Sequence, residues 1–311
     1  MAKLGYIQVT RQCNQKCIIC SNPPTDKKLT LEKAKRKINE IKKEGGVGVI
    51  VTGGEPTLYK DLASLISYAC KRGIFPRIIT NGQKMADFDY AKSLSDAGLK
   101  HLHISIYSHD KHVQAAISKN FDSLRNIVST LDNLKKLQSI TVDVNIAITK
   151  LNANHLSRTV QWLIGEYPFM HHFVFNNLDP FMNRASENPS VIPRMHDFEL
   201  ELHRCLKILE KNGKTFRVER VPLCYLSEFE FSSTETRKIV KHEARTVYFL
   251  DEKGKTIQKE WESEKAQCCS SCSVNEICAG IYGRGKYYSV KELSPVFVDK
   301  DKIIKKIENE K

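Results

Sequence analysis

Residues 4–20 read LGYIQVTRQCNQKCIIC, a short run rich in β-branched and aromatic residues that breaks into a polar loop carrying three cysteines. The first seven residues have the composition of a strand, and the Arg, Gln, Asn and Lys that follow end it. The same pattern returns down the chain. Strand candidates recur at 47–52 (VGVIVT), 75–80 (FPRIIT), 101–107 (HLHISIY), 140–148 (ITVDVNIAI) and 171–176 (HHFVFN). Between them lie amphipathic helix candidates near 30–44, 58–72, 85–98, 120–137 and 153–166, with Thr30 before Lys33 and Asn152 before His155 as capping signals. Six strands in the first 176 residues give about 29 residues per unit, close to the ~30 of a βαβ repeat. The expectation is an α/β fold with a parallel sheet, curled into an open or partial barrel of six units rather than a complete eightfold one.

Composition narrows the function classes. At 41% hydrophobic residues over 311 positions the chain can bury a full core, which excludes a disordered chain. No apolar run approaches the ~18 residues of a membrane span, and the start MAKLGYIQVTRQCNQK has no apolar signal region, so the expected location is cytoplasmic, with no membrane partner. In such a reducing compartment ten cysteines stand as free thiols for metal or redox chemistry rather than as a disulfide framework. A net charge of +13 favours an anionic partner such as an acidic peptide, a nucleotide or RNA. No RNA-binding module is visible, which disfavours nucleic acid.

Alternation within the strands locates a site. In HLHISIY, Leu102, Ile104 and Ile106 share one face and His101, His103 and Ser105 the other, so the polar face is expected to line a cavity. The loops TGGEP (52–56), TNG (80–82) and YSHD (107–110) follow the strands, at the end where parallel α/β folds bind ligands. His101, His103, His109 and His112 read as packing, hydrogen-bonding or substrate-contact residues rather than metal ligands, because no carboxylate stands at ligand spacing.

After residue 176 the character changes. Residues 177–193 form a Pro, Asn and Ser-rich segment expected to be a functional loop. A helix near 195–212, a strand near 214–221, the VPLC segment (221–224) and a hairpin with the tip DEKGK (251–255) follow. The expected organisation is a barrel with a C-terminal helix over 1–213, a small Cys-rich domain over 214–298 and a charged tail over 299–311, solvated or frayed.

Cys13, Cys17 and Cys20 place three thiolates on one loop, a set that can hold three corners of an iron–sulfur cube and leave the fourth iron open. A Cys₃ zinc site is the alternative from spacing alone. Cys13-x₃-Cys17-x₂-Cys20, with Ile19 before the last cysteine, resembles the signature of the radical S-adenosylmethionine (radical SAM) superfamily. Gly53-Gly54-Glu55-Pro56 is similar to its GGEP motif, and Ser105 sits where a SAM-contacting serine is common. The resemblance covers about residues 4–176. It implies a [4Fe–4S] cluster whose open iron chelates SAM, one-electron cleavage of SAM to a 5′-deoxyadenosyl radical, and hydrogen abstraction from a substrate. It also implies that Gly53 and Gly54 allow close backbone approach, that Glu55 accepts from the methionine ammonium, and that Ile19 packs near the adenine. Thr80 and Asn81 would lie on the rim, Ser105 would meet the methionine carboxylate and Asn145 the ribose. Local turn chemistry is the alternative for these polar residues.

Near the C-terminus, Cys268, Cys269, Cys272 and Cys278 fall within eleven residues. Adjacent cysteines rarely bind one metal together, so the economical set is Cys269, Cys272, Cys278 and a distant fourth, for which Cys224 is the best candidate and Cys268 the leftover that could replace Cys269. A structural Cys₄ zinc knuckle has similar spacing. The arrangement resembles the SPASM and twitch extensions behind many radical SAM barrels, which implies a second, auxiliary [4Fe–4S] cluster. A minority reading makes Cys224 a catalytic hydrogen-atom donor instead. Cys70 and Cys205 are expected to be small buried hydrophobes.

The function implied is modification of a peptide or protein side chain, with a reductant such as flavodoxin or ferredoxin; since no leader-binding segment precedes the first strand, leader recognition is expected either on a separate leader-peptide-binding partner or not at all. The alternatives are a dehydrogenase or synthase acting on a small molecule, such as a sugar or cofactor precursor, and a non-enzymatic metal-binding scaffold.

Overall fold

The order of elements is a repeated strand and helix: β1 (Lys3–Thr10), α1 (Leu31–Lys43), β2 (Gly46–Gly53), α2 (Leu62–Lys71), β3 (Phe75–Thr80), α3 (Phe88–Asp96), β4 (His101–Ser105), α4 (Lys111–Ser118), α5 (Ser123–Leu137), β5 (Thr141–Ile148), α6 (Leu156–Glu166) and β6 (His172–Asn177). The computed structural model describes residues 3–22, 25–181, 184–251, 253–258, 263–282 and 287–310. All six expected strands form within two residues of their expected bounds. After them come α7 (Arg184–Glu187), α8 (Met195–Lys211), β7 (Thr215–Glu219), α9 (Thr234–Lys241), β8 (Arg245–Tyr248), β9 (Lys255–Gln258), the pair β10 (Ser263–Glu264) and β11 (Ile281–Tyr282), and α10 (Lys300–Asn309). Met182 and Asn183 of the expected loop, and Glu252 of the expected hairpin tip, lie outside the described residues.

The main sheet runs β7-β6-β5-β4-β3-β2-β1-β8-β9, parallel throughout except for β9, which turns back against β8. β7 and β8 extend the six expected strands on opposite sides, with β9 as the outer edge beyond β8. Arg245 on β8 pairs with Glu219 on β7 at 3.2 Å, so the curled sheet brings β8 and β7 within side-chain reach without a ladder between them. The helices cover the outside because the outward residues are apolar. On β4, Leu102 and Ile104 are fully buried, as are Ile127 and Leu131 on α5, while His101, His103 and Ser105 face the interior half-buried, as the alternation requires.

A helix forms outside the expected candidates, and two local expectations are corrected. Residues 111–118 form α4, with Asp110 accepting from the backbone N–H groups of His112 and Val113. Asn152 does not cap α6; its Oδ1 accepts from Thr149 N at 2.7 Å and tightens the preceding turn, whereas Thr30 caps α1 as expected. The tail is solvated on one face only, with Asp301, Lys302, Lys305, Lys306, Glu308 and Asn309 exposed. α10 buries Ile303 and Ile307, and Glu310 pairs with Arg217 and Arg237. Its apolar spacing of four residues is the amphipathic signal that the surrounding Lys and Glu obscure. Among the described residues no helix is long and apolar enough to cross a membrane.

Candidate active site

Strands that end together put their loops together. At the carboxyl end of the barrel a cavity of about 370 Å³ is lined by Cys13, Cys17, Ile19 and Cys20 after β1, Gly53, Gly54 and Glu55 at the end of β2, Thr80 and Asn81 at the end of β3, Ser105 on β4 and Asn145 on β5. Of the residues expected there, only Pro56 stands behind the wall, buried as the first residue of a 3₁₀ turn.

The cysteine loop is clamped from several sides. Ile18 N donates to Ile117 O at 2.9 Å and Lys16 N to Ser118 O at 3.2 Å, which ties the loop to the end of α4. Arg184, from the segment after β6, donates from its backbone to Cys20 O and from its guanidinium to Cys17 O, both at 3.3 Å. The buried Arg11 holds Asn22 and pairs with Asp251 of the β8–β9 hairpin at 2.9 Å. Burial and the neighbouring thiols push Cys17 up to about 12; burial foremost pushes Cys13 to about 11.

The two glycines let backbones pack closely. A Cβ on Gly53 would stand 2.1 Å from Thr10 O, and one on Gly54 would stand 2.3 Å from Gln12 O. The pair therefore allows close approach to Thr10, Arg11 and Gln12, where β1 passes into the cysteine loop, and both glycines also line the cavity. Gly54 N donates to Thr10 O at 2.7 Å and Glu55 N to Gln12 O at 2.8 Å, so β2 carries the loop as a continuation of the sheet.

The polar residues divide into engaged and free. Glu55 Oε1 accepts from Thr57 N at 3.0 Å, Thr57 Oγ1 at 2.6 Å and Thr80 Oγ1 at 2.7 Å, while Oε2 accepts only from Asn81 N at 2.7 Å. Burial raises its pKa against those donors. Thr80 Oγ1 also accepts from Gly82 N, and Asn81 Oδ1 accepts from Gln83 N at 3.1 Å, the turn chemistry that the Asn-Gly pair suggests. Asn81 Nδ2 and Tyr107 OH approach Cys13 and Cys17 sulfur at 3.8 and 3.9 Å. By contrast the side chains of Ser105, Asn145 and Asn176 line the cavity with no hydrogen bond to the described residues. Asn176 and Arg220 were missed. The alternation used for β4 finds Asn176 when applied to β6, whereas Arg220 follows β7, a strand read as lying outside the barrel.

A second cleft is lined by Cys224, Cys269, Cys272 and Cys278 with Leu223, Val274, Leu293 and Val296. Cys224 sits on a 3₁₀ turn and lines this cleft, not the barrel cavity. Cys268 turns away, its Sγ donating to Leu293 O at 3.5 Å. Cys272 and Cys278 sulfurs accept from Val296 N at 3.3 Å and Gly280 N at 3.4 Å. Of the two isolated thiols, Cys205 is buried as expected, but Cys70 is exposed at the end of α2 beside Gly98.

Spacing tests what these thiols could hold. One tetrahedral zinc would bring its sulfurs to about 3.8 Å of each other, given a Zn–S bond of ~2.3 Å. Among the described residues, only His101, His103 and Asp143 form a group of three or more ligand atoms all within 4.8 Å of one another. Among the described residues neither cysteine set brings three sulfurs all within 4.8 Å of one another. The same observation corrects the histidine reading: a carboxylate does stand beside His101 and His103, supplied by the neighbouring strand.

A parallel β/α barrel with a three-thiol loop after its first strand, facing a polar cavity, is the class that fold and site define: a barrel that holds a reactive centre at its mouth. The Radical SAM superfamily matches residues 7–163, half of the chain, and the chain belongs to that superfamily. Its members use a [4Fe–4S] cluster and S-adenosylmethionine, and the three-thiol loop and cavity fit both. The chain is 34% identical over 165 residues to GTP 3′,8-cyclase of Campylobacter jejuni, covering 50% of each chain. It is 26% identical over 162 residues to PqqA peptide cyclase of Bradyrhizobium diazoefficiens, covering 51% of this chain and 42% of that one. It thus spans about half the length of the curated relatives it matches. In fold it is similar to Streptococcus suis SuiB bound to precursor peptide SuiA, with a TM-score of 0.65 and 14% identity over 94% of this chain and 76% of that one.

Proposed function

We propose that the protein is a radical SAM enzyme that modifies a peptide or protein side chain. The observation that carries this reading is the second, four-cysteine cleft behind the barrel, in a chain whose likeness to peptide-bound SuiB runs past the superfamily's barrel to 94% of its length. When bound, the cluster and SAM supply the difficult chemistry: reductive cleavage to a 5′-deoxyadenosyl radical and abstraction of a substrate hydrogen.

The chain's own residues hold and orient. Cys13, Cys17 and Cys20 bind the cluster, and Arg184 and Arg11 fix their loop. Glu55 ties β2 to β3 and keeps a lone pair on Oε2 for the methionine ammonium. Ile19 packs near the adenine, and the free side chains of Ser105 and Asn145 receive the carboxylate and the ribose. Thr80 and Asn81 set the rim. Cys224, Cys269, Cys272 and Cys278 hold an auxiliary [4Fe–4S] cluster; the place of Cys224 in the second cleft supports the ligand role over hydrogen donation. A reductant such as flavodoxin or ferredoxin supplies the electron.

A second reading, action on a small molecule, draws on the 34% identity to GTP 3′,8-cyclase. Anaerobic coexpression with any short peptide encoded beside the gene, and incubation with GTP, separate the two. A peptide mass change that is lost with Cys13→Ala supports the first reading. Unchanged peptides together with turnover of GTP or another small molecule would overturn it.

A further inference from the structure

The barrel has a second polar end. His101, His103 and Asp143 face its interior at the amino-terminal floor, opposite the cysteine loop. His101 and His103 stand two apart on β4, their rings stacked at 5.2 Å with 12° between planes, and both turn Nε2 to the Asp143 carboxylate. His101 Nε2 lies 2.6 Å from Asp143 Oδ2 and His103 Nε2 lies 3.7 Å from it. All three ligand atoms fall within 4.8 Å of one another.

A simple His–Asp hydrogen bond leaves part of this group unexplained. Asp143 is 3% exposed, yet its Oδ1 has no hydrogen-bond partner, and neither has the buried Nε2 of His103. Two orphaned polar atoms in one buried cluster are rare in native proteins, and a cation between them would satisfy both. We propose that His101, His103 and Asp143 form a binding site for a divalent transition-metal ion, with water completing its coordination. Two imidazoles and one carboxylate suit zinc, iron(II), cobalt or manganese rather than calcium or magnesium. Neighbouring groups are consistent with a cation that is held but reachable. His101 and His103 side chains are each 14% exposed, and His171 stands 4.0 Å from Asp143 Oδ1 at the opening. Arg77 on β3, opposite His101 in register, is a like charge beside the cluster; its Nε has no hydrogen-bond partner and its guanidinium lies over Phe75, while His172 faces Asp143 and His103 from β6.

The site has a structural consequence for the other end. His103 and Asp143 are register partners, and two residues on, about 6.6 Å along each strand, so are Ser105 and Asn145. An ion on the floor staples the two strands that carry the free side chains of the upper cavity.

The test uses reconstituted protein with its cysteines occupied by iron. It is incubated anaerobically with cobalt(II), desalted, and assayed for cobalt, iron and the high-spin cobalt(II) electron paramagnetic resonance signal. One cobalt per chain is expected, with iron unchanged. His103→Gln and Asp143→Asn should each cut retention about tenfold or more, with iron and unfolding midpoint maintained, since Asn keeps an acceptor for His101. No cobalt retained by the unsubstituted protein, or equal retention in both variants, overturns the proposal.

Discussion

Substituting Gly54 by alanine tests how the GGEP segment works. Its Cβ would stand 2.3 Å from Gln12 O and 2.6 Å from Arg11 O, both backbone atoms that cannot rotate away. Ordinary carbon–oxygen contacts lie near ~3.3 Å, so β2 and the cysteine loop must part by about 1 Å. The strain of such overpacking costs about 1–3 kcal/mol. The hydrogen bonds Gly54 N to Thr10 O and Glu55 N to Gln12 O lengthen at the same time, each worth about 0.5–1.5 kcal/mol. The sum is on the order of 2–6 kcal/mol, borne by the loop that carries Cys13, Cys17 and Cys20. Denaturant unfolding of Gly54→Ala should show a loss in that range. After anaerobic reconstitution, iron should fall from about eight to about four per chain, because the second cleft is remote from the change. Full iron with an unchanged unfolding midpoint would refute the argument that these glycines exist for loop contact.

Glu55→Gln replaces an acceptor of four donors by a group that must turn its own NH₂ toward one of them, at a cost of about 1–3 kcal/mol. Lower stability and about tenfold weaker SAM binding with iron retained are expected; unchanged calorimetric affinity removes Glu55 from the SAM site. Cys224→Ala should lose the second cluster's iron while Cys268→Ala keeps it, since only Cys224 lines that cleft; equal iron in the two variants contradicts the ligand assignment. Burial foremost, with Glu219 beside it, raises Glu235 to about 7, so folding favours its protonated form, and that contribution is lost as pH rises through 7. Glu235→Gln should therefore gain on the unsubstituted protein between pH 5 and pH 8, by on the order of 2 kcal/mol. A stability difference that stays constant over this range disproves it.

What the sequence made legible follows from what is local. The β/α repeat showed in its runs and loops, and the strand-end residues from Cys13 to Asn145 fell together because parallel strands end on one side. Nonlocal pairing was hidden. β8 pairs with β1 residues 241 positions away in the chain, so its place in the barrel sheet, and with it the contact from Asp251 to Arg11, leaves no periodic trace. Asp143 lies 40 residues past His103 and reaches it only through strand register, which ligand spacing along the chain cannot express. The roles of Glu55 and Thr80 were also obscured, because residue type does not reveal that the two are hydrogen-bonded to each other. α10 was masked by composition: Ile303 and Ile307 are few among Lys and Glu, yet they decide that the helix docks.

The central claim is that the loop of Cys13, Cys17 and Cys20 holds a cluster that reductively cleaves SAM in the cavity beside it. The direct measurement is 5′-deoxyadenosine formed from SAM by anaerobically reconstituted, dithionite-reduced protein, compared with the Cys13→Ala, Cys17→Ala, Cys20→Ala triple variant. The account predicts cleavage by the unsubstituted protein and none by the variant, which should keep about half of its iron in the second cleft. Deoxyadenosine formed equally by both proteins, or by neither while the unsubstituted chain carries about eight irons, would contradict it.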